Sequence, residues 1–438
     1  MAGAALGEAG LRALLRGGAG GGGGGGAGGG GGAPGPGPGP GPGPGQRPRA
    51  GGAAGAPAGA PPGPPPPPEH AAWRRARGAL AGGRWREIPG LARAGEVPRV
   101  QAPFPPAADV TRRFLRGGAH GGGPAVFEGL AASWPALGPA WDWDRLLARL
   151  GPGTRVVANN RAPARVRDSD EACGRAVWRT TFGEYVEYLR SAGEPGAAAA
   201  ERPPLYLNGW GAFTEPGFGS GLWADVGGGA AAGDGGLFPE VFEDDSFRTM
   251  LELDVGLKVS KSAGADPREW VGRSDRMLNK VFMGPAGCIT RLHFDAHGAH
   301  GWLAQVRGRK LFVLVPPEDS EKLAPFHHGA RGGAPTADSS AGAGAAERSQ
   351  SPIDPLEPDL ERFPGYRDAR VFVAVCRPGD VILIPRGWWH YAISLDPEGV
   401  TVMRNFWSLA SGNVRSLIEM WVGGIKKVMR RRQAEPPA

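Results

Sequence analysis

The sequence predicts a mainly β domain with flanking helices, its strands folded into a closed sandwich or barrel behind a long unfolded N-terminal tail. Residues 276–408 carry eight short β-rich runs, divided by turn residues and without helical periodicity between them. Residues 1–68 hold 28 of the 77 glycines and 15 of the 45 prolines. Such a stretch cannot bury enough apolar surface to offset its ordering entropy, so it is expected to be disordered. What remains of the 438 residues suffices for one large domain.

Taken in order, residues 69–94 read as a linker, because Pro89 and Pro98 prevent a long helix, and order is expected from about residue 86. The domain then runs over 95–425. Ala125 to Glu128 and Thr154 to Ala158 read as strands, and Trp143 to Leu150 as a helix. Phe182, Tyr185, Val186 and Leu189 fall at i, i+3, i+4 and i+7, one face of a second helix. Glycine-rich stretches at 211–236 and 327–350 read as loop insertions.

The eight β-rich runs are Asn279 to Met283, Cys288 to Phe294, Trp302 to Val306, Lys310 to Val315, Arg370 to Val375, Val381 to Ile384, Trp389 to Ser394 and Val400 to Phe406. Gly284, Gly308, Pro378 with Gly379, and Pro397 with Gly399 mark the turns. Val414, Leu417, Ile418, Trp421, Val422 and Ile425 then form an apolar stripe, giving a C-terminal helix over about 411–430 capped near Ser411. That stripe suits either packing on the domain itself or a homodimer contact.

The formal net charge of +7 resides at the ends: residues 1–68 carry +3 and the basic tail 426–438 carries +4, so the body between them is neutral. A nucleic-acid footprint over the whole domain is therefore unsupported, and any such contact would involve the basic tails. Cys173, Cys288 and Cys376 are odd in number and unpaired in spacing, against a disulfide framework or zinc knuckle. No apolar run reaches the roughly 18 residues that span a bilayer. A soluble protein of the cytoplasm or nucleus is expected, an organelle-targeting reading of the first 16 residues being weakened by the lack of serine in 1–68.

Histidines cluster at His293, His297 and His300, with His390 further on and His327 and His328 in a glycine-rich loop. His293 and Asp295 are two apart on a predicted strand, so their side chains leave one face and can meet on one ion. His390 opens a later strand. Two imidazoles and one carboxylate on one side of a metal leave three positions open, the arrangement of non-haem iron(II) oxygenases. A lone H-x-D triplet also arises as an ordinary hydrogen-bonded pair. Lys310 adds weight: it is in register with Phe312 and Leu314, so it points to their apolar face and must meet an anion or lose its charge, unless it snorkels to the rim. A diacid such as 2-oxoglutarate would satisfy the lysine and chelate the metal together.

Thr290-x-x-His293-x-Asp295, Gln305-x-x-Gly308-x-Lys310, Pro378-Gly379-Asp380-Val381-Ile382-Leu383-Ile384-Pro385-x-x-Trp388-Trp389-His390 and Asn405-Phe406-Trp407 together resemble the JmjC family of cupin-fold dioxygenases. Glu361-Arg362-Phe363-Pro364, Gly129-Leu130-x-x-x-Trp134-Pro135 and Thr181-Phe182-x-Glu184-Tyr185 are similar to the factor-inhibiting-HIF type of protein hydroxylase within it. The resemblance covers about residues 95–425. It implies a double-stranded β-helix (cupin, jelly-roll) barrel, iron(II) on His293, Asp295 and His390, and 2-oxoglutarate held by Lys310, Thr290, Tyr206 and Asn405. Two extra residues between Asp295 and Gln305 put His300 and Gly301 where relatives often carry an asparagine. His297 and His300 are expected to face solvent, and Trp388 and Trp389 to straddle the wall.

The implied activity is hydroxylation of a protein side chain, with succinate and carbon dioxide as co-products. Demethylation would follow from the same chemistry at a methylated nitrogen. A hydroxylase of a tRNA base and a catalytically silent cupin that binds a metal or partner are the competing readings.

Overall fold

Alternating apolar residues give each β-rich run two faces, and the computed structural model pairs these runs into two sheets laid face to face. It describes residues 70–116, 122–159, 177–192, 204–227, 237–238, 240–244, 246–256, 266–324, 349–419 and 421–423. The expected tail at 1–68, the basic tail at 426–438, Cys173, His327 and His328 lie outside the described residues.

The first sheet has five strands. Its spatial order is β1 (Gly95–Glu96), β11 (Phe372–Cys376), β10 (Lys310–Val315), β13 (Trp389–Ser394) and β8 (Ile289–His293). The second has seven: β2 (Arg99–Val100), β3 (Ala125–Phe127), β12 (Val381–Ile384), β9 (His300–Arg307), β14 (Gly399–Phe406), β7 (Asn279–Gly284) and β6 (Leu207–Trp210). A separate hairpin joins β4 (Arg155–Asn159) to β5 (Val177–Thr181). All eight expected runs are strands, with ends moved by at most two residues.

Three apolar layers hold these sheets. Between them, Phe312, Leu314, Ala374 and Ala392 of the first sheet meet Val126, Leu303, Ile382 and Ile384 of the second. Outside the second sheet, Phe127, Trp302, Val381 and Phe406 pack against helices Trp143–Leu150 and Phe182–Ala192 and the aromatic residues Phe213, Phe238 and Phe242. Outside the first sheet, Leu311, Val313, Tyr391 and Ile393 meet Ile88, Leu91, Ile353 and Leu356. Among the described residues the sheets do not hydrogen-bond into one closed barrel, contrary to the closure expected. On one side the chain itself crosses over: β1 pairs with β11, Val97 lies in the layer between the sheets, and β2 pairs with β3.

Four segments differ from expectation. Residues 70–81 form a helix, His70–Ala81, rather than a linker, and its Ala76 and Leu80 are buried in the outer layer of the first sheet. Pro89 and Pro98 lie beyond it and so do not oppose it. Residues 211–227 are not a loose insertion: helix Gly219–Asp225 buries Leu222, and Phe213 is buried just ahead of it. The last two residues of the expected 327–350 insertion are pinned beside β8: Gln350 forms a bridge with His293, Phe294 N donates to Ser349 O and, just beyond, Ser351 N donates to Leu292 O, both at 2.9 Å. The C-terminal helix begins at residue 414 rather than 411. Ser411 does not cap it; its hydroxyl bonds Ser408 O and Asn413 Oδ1 within the preceding turn.

Leu417 of that helix is fully buried against Ala299 and Trp407, and Trp421 donates to Asp254. This part of the stripe is therefore used within the domain. No helix among the described residues is long and apolar enough to cross a membrane.

Candidate active site

Register brings the first group together. On the inner face of the first sheet, Leu314 of β10 stands opposite His390 of β13, and His390 opposite His293 of β8. Paired residues of antiparallel strands project to one side, so the imidazoles continue the row begun by Leu314 in the layer between the sheets. Their ring centroids are 4.2 Å apart. Asp295, just past the end of β8, brings Oδ1 to 3.7 Å from His293 Nε2 and 4.0 Å from His390 Nε2.

The tautomers follow from the hydrogen bonds. His293 Nδ1 is 2.7 Å from Arg291 O and His390 Nδ1 is 3.1 Å from Trp388 O. A carbonyl oxygen only accepts, so each Nδ1 carries a hydrogen, and Nε2 is the nitrogen that each ring turns toward Asp295. Three electron-rich atoms within 4.8 Å of one another, too far apart to hydrogen-bond, suit a shared cation. The outer carboxylate oxygen is occupied: Asn405 Nδ2 donates to Asp295 Oδ2 at 2.8 Å.

A second group gathers four residues along the same strands, about 13 Å of backbone away. Lys310 is 2% exposed, so it does not snorkel to the rim. Its ammonium donates to Tyr206 Oη at 2.8 Å and to Thr401 Oγ1 at 3.1 Å, and Thr290 bonds the same phenol. It stands over the rings of Tyr206 and Phe282. Burial pulls its pKa down from 10.5 to about 8. Among the described residues no carboxylate pairs with it, and the buried ammonium is held by hydroxyls and rings. Burial pushes Tyr206 well above the usual phenol value, which keeps it a neutral donor.

Sequence reasoning missed the support behind Lys310. Thr401 passes its own hydrogen to Gln305 Oε1 at 2.9 Å, and Gln305 Nε2 donates to Arg307 O. Thr401, Met403 and Asn405 share one face of β14 at spacing two, a signal the sequence carried. His300 was misplaced: it is fully buried, its Nδ1 accepting from Arg386 N and its Nε2 donating to Ser411 Oγ, both at 3.0 Å. Burial, then the Arg386 charge, lowers its pKa to about 3, so it stays neutral. His297 is exposed. Trp389 is fully buried on the outer layer, its Nε1 on Ser320 Oγ, while half-buried Trp388 packs on Phe372 and gives its carbonyl to His390.

Two facing sheets with a histidine–carboxylate cluster and a buried cation between them define a scaffold of the cupin kind. The chain belongs to the cupin-like domain family, whose model matches residues 111–410. It is 26% identical over 284 residues to the HSPB1-associated protein 1 homolog of Danio rerio, covering 65% of this chain and 51% of that protein. It is 39% identical to HSPB1-associated protein 1 of Homo sapiens over 172 residues, 39% of this chain and 29% of that protein. It is 33% identical to lysine-specific demethylase 8 of Xenopus tropicalis over 122 residues, 28% of this chain and 24% of that one. The chain thus spans about half or less of the length of these relatives. Their names are those of HSPB1-associated proteins and a demethylase, rather than of a hydroxylase of the factor-inhibiting-HIF type.

Proposed function

We propose that this protein is an iron(II)- and 2-oxoglutarate-dependent oxygenase acting on a protein side chain. The observation that carries the reading is the placing of a metal-ligating trio and a buried lysine along adjacent strands of one sheet. Ligand atoms of His293, Asp295 and His390 lie within 4.8 Å of one another at one end, and at the other the buried Lys310 ammonium is held by the hydroxyls of Tyr206 and Thr401. A metal with a five-carbon diacid completes both.

In this reading His293 and His390 give Nε2 and Asp295 gives Oδ1 to the ion, a neutral-nitrogen and carboxylate set that suits iron(II) and leaves positions for cofactor and oxygen. Lys310, Tyr206 and Thr290 bind the far carboxylate of 2-oxoglutarate. Thr401 and Gln305 hold Lys310 in line, and Asn405 borders the metal end. When bound, iron and 2-oxoglutarate together supply oxygen activation, with succinate and carbon dioxide as co-products. The protein's own part is to fix ligand tautomers, place one charge for the diacid and keep the site dry through Leu314, Phe312 and Ile382.

A protein substrate is favoured by the relatives, whose names refer to association with HSPB1 and to lysine demethylation. Release of formaldehyde would mark the demethylating form of the same chemistry. A cytoplasmic or nuclear setting fits the buried free thiols Cys288 and Cys376.

Anaerobic titration with iron(II) and then 2-oxoglutarate tests the reading, the expected signal being the weak visible charge-transfer band of the chelate. Substrate-uncoupled turnover of 2-oxoglutarate should follow in air and vanish in His293→Ala. A chain that gives neither band nor turnover is a silent cupin, and the proposal fails.

A further inference from the structure

We infer that Asn405 is a positioning residue for the metal centre: together with Gly301 it holds the outer oxygen of Asp295, so that the carboxylate offers the ion one oxygen only. The inference rests on the metal reading above and adds a device that limits how many positions the protein occupies.

Asp295 follows the end of β8 and belongs to no strand, so its backbone alone does not fix the turn of its carboxylate. Left free, that group can present one oxygen or both to an ion, and the second mode consumes a position that cofactor or oxygen needs. Asn405 prevents this from the opposite sheet. Its Nδ2 donates to Oδ2 at 2.8 Å, leaving Oδ1 as the oxygen nearest both imidazoles. Asn405 is itself held, since its neighbour Arg404 is tied to Asp244 and to Asp275, the latter at 2.7 Å.

Gly301 makes the arrangement sterically feasible. It is the register partner of Asn405 across β9 and β14. A β-carbon placed there would lie 2.9 Å from Asp295 Oδ2 and 3.7 Å from Asn405 Nδ2, so the carboxylate occupies space that any other residue would fill. The position two turns of the pleat away, where Thr401 faces Gln305, performs the corresponding task for Lys310.

The test uses the full chain and cobalt(II) alone, with equilibrium dialysis for affinity and the visible d–d absorption of the loaded protein for geometry. Asn405→Leu keeps the branching and heavy-atom count of the side chain and removes the donor; Gly301→Ala presses on the same oxygen from the other side. Both should weaken cobalt binding by about 10- to 100-fold and change the shape of the d–d envelope. A merely structural role would lower the melting midpoint of the metal-free protein while leaving affinity and spectrum as in the parent. If the parent binds cobalt and both variants match it, the inference is overturned. If the parent itself binds none, the metal reading fails instead. Should Asn405→Leu not fold, Gly301→Ala decides alone.

Discussion

Lys310 shows how a single residue couples the fold to acidity. Burial lowers its pKa to about 8, whereas the unfolded chain keeps the ordinary value of 10.5. Between those values the unfolded state holds a proton that the folded state lacks, so this group makes stability rise with pH over that window, by about 3 kcal/mol in all. Denaturant midpoints of the cofactor-free protein should show that rise, and Lys310→Met should flatten it. The affinity of the metal-loaded protein for 2-oxoglutarate should in turn fall above about pH 8, because only the ammonium form attracts the diacid. Isothermal titration across pH 7 to 10 checks this. The position of Lys310 was legible because charge on an alternating apolar strand has few destinations. The burial of His300 was not, since it depends on a turn and a loop that arrive from residues 408–413 and 385–388, far along the chain.

At the scale of elements, that same turn joins β9 to the C-terminal helix. His300 accepts from Arg386 N, so protonating it breaks a buried bond. A histidine with a lowered pKa keeps its contribution above about 6.5 and loses it as pH falls toward about 3. His300→Gln should therefore show a shallower loss of melting temperature over that range. Strand β14 has its own anchor in Arg404. Desolvation opposes its charge, and Asp244 and Asp275 more than offset that, raising its pKa. Asp275→Ala would leave a buried guanidinium with half its partners and should cost about 3 kcal/mol or more by chemical denaturation. Strands were readable because each needs only its own period of two. Helix Ser246–Gly256 was not read, because its apolar residues Phe247, Met250, Leu251, Leu253 and Val255 are spread around it rather than confined to one face. Helix Pro267–Arg276 was not read either, although Asp266, which caps the amides of Arg268 and Glu269, and the proline that follows it are a start signal the sequence carries.

For the whole molecule, the start of the ordered fold is itself testable. A chain begun at Glu69 should melt with the parent, given the composition of 1–68. One begun at Gly82 should melt lower, because it forfeits Leu80, 1% exposed, and the packing of Trp73 beside Gly287. Burial of a single leucine is worth about 2 kcal/mol. Helix His70–Ala81 escaped the sequence reading because its sequence neighbours are proline-rich on one side and irregular on the other, while several of its partners, Gly287, Arg309 and Glu357, lie more than 200 residues away.

The passage from β1 to β2 has one more implication. One sheet supplies both imidazoles and the lysine, while the other supplies Asn405 and Thr401. Six consecutive residues, 95–100, are stitched to both. They act as a bolt between two plates, tying the sheet that carries the imidazoles to the one that carries Asn405. A change at Val97, buried in the layer between the sheets, would therefore reach both plates at once without altering any residue of the candidate site.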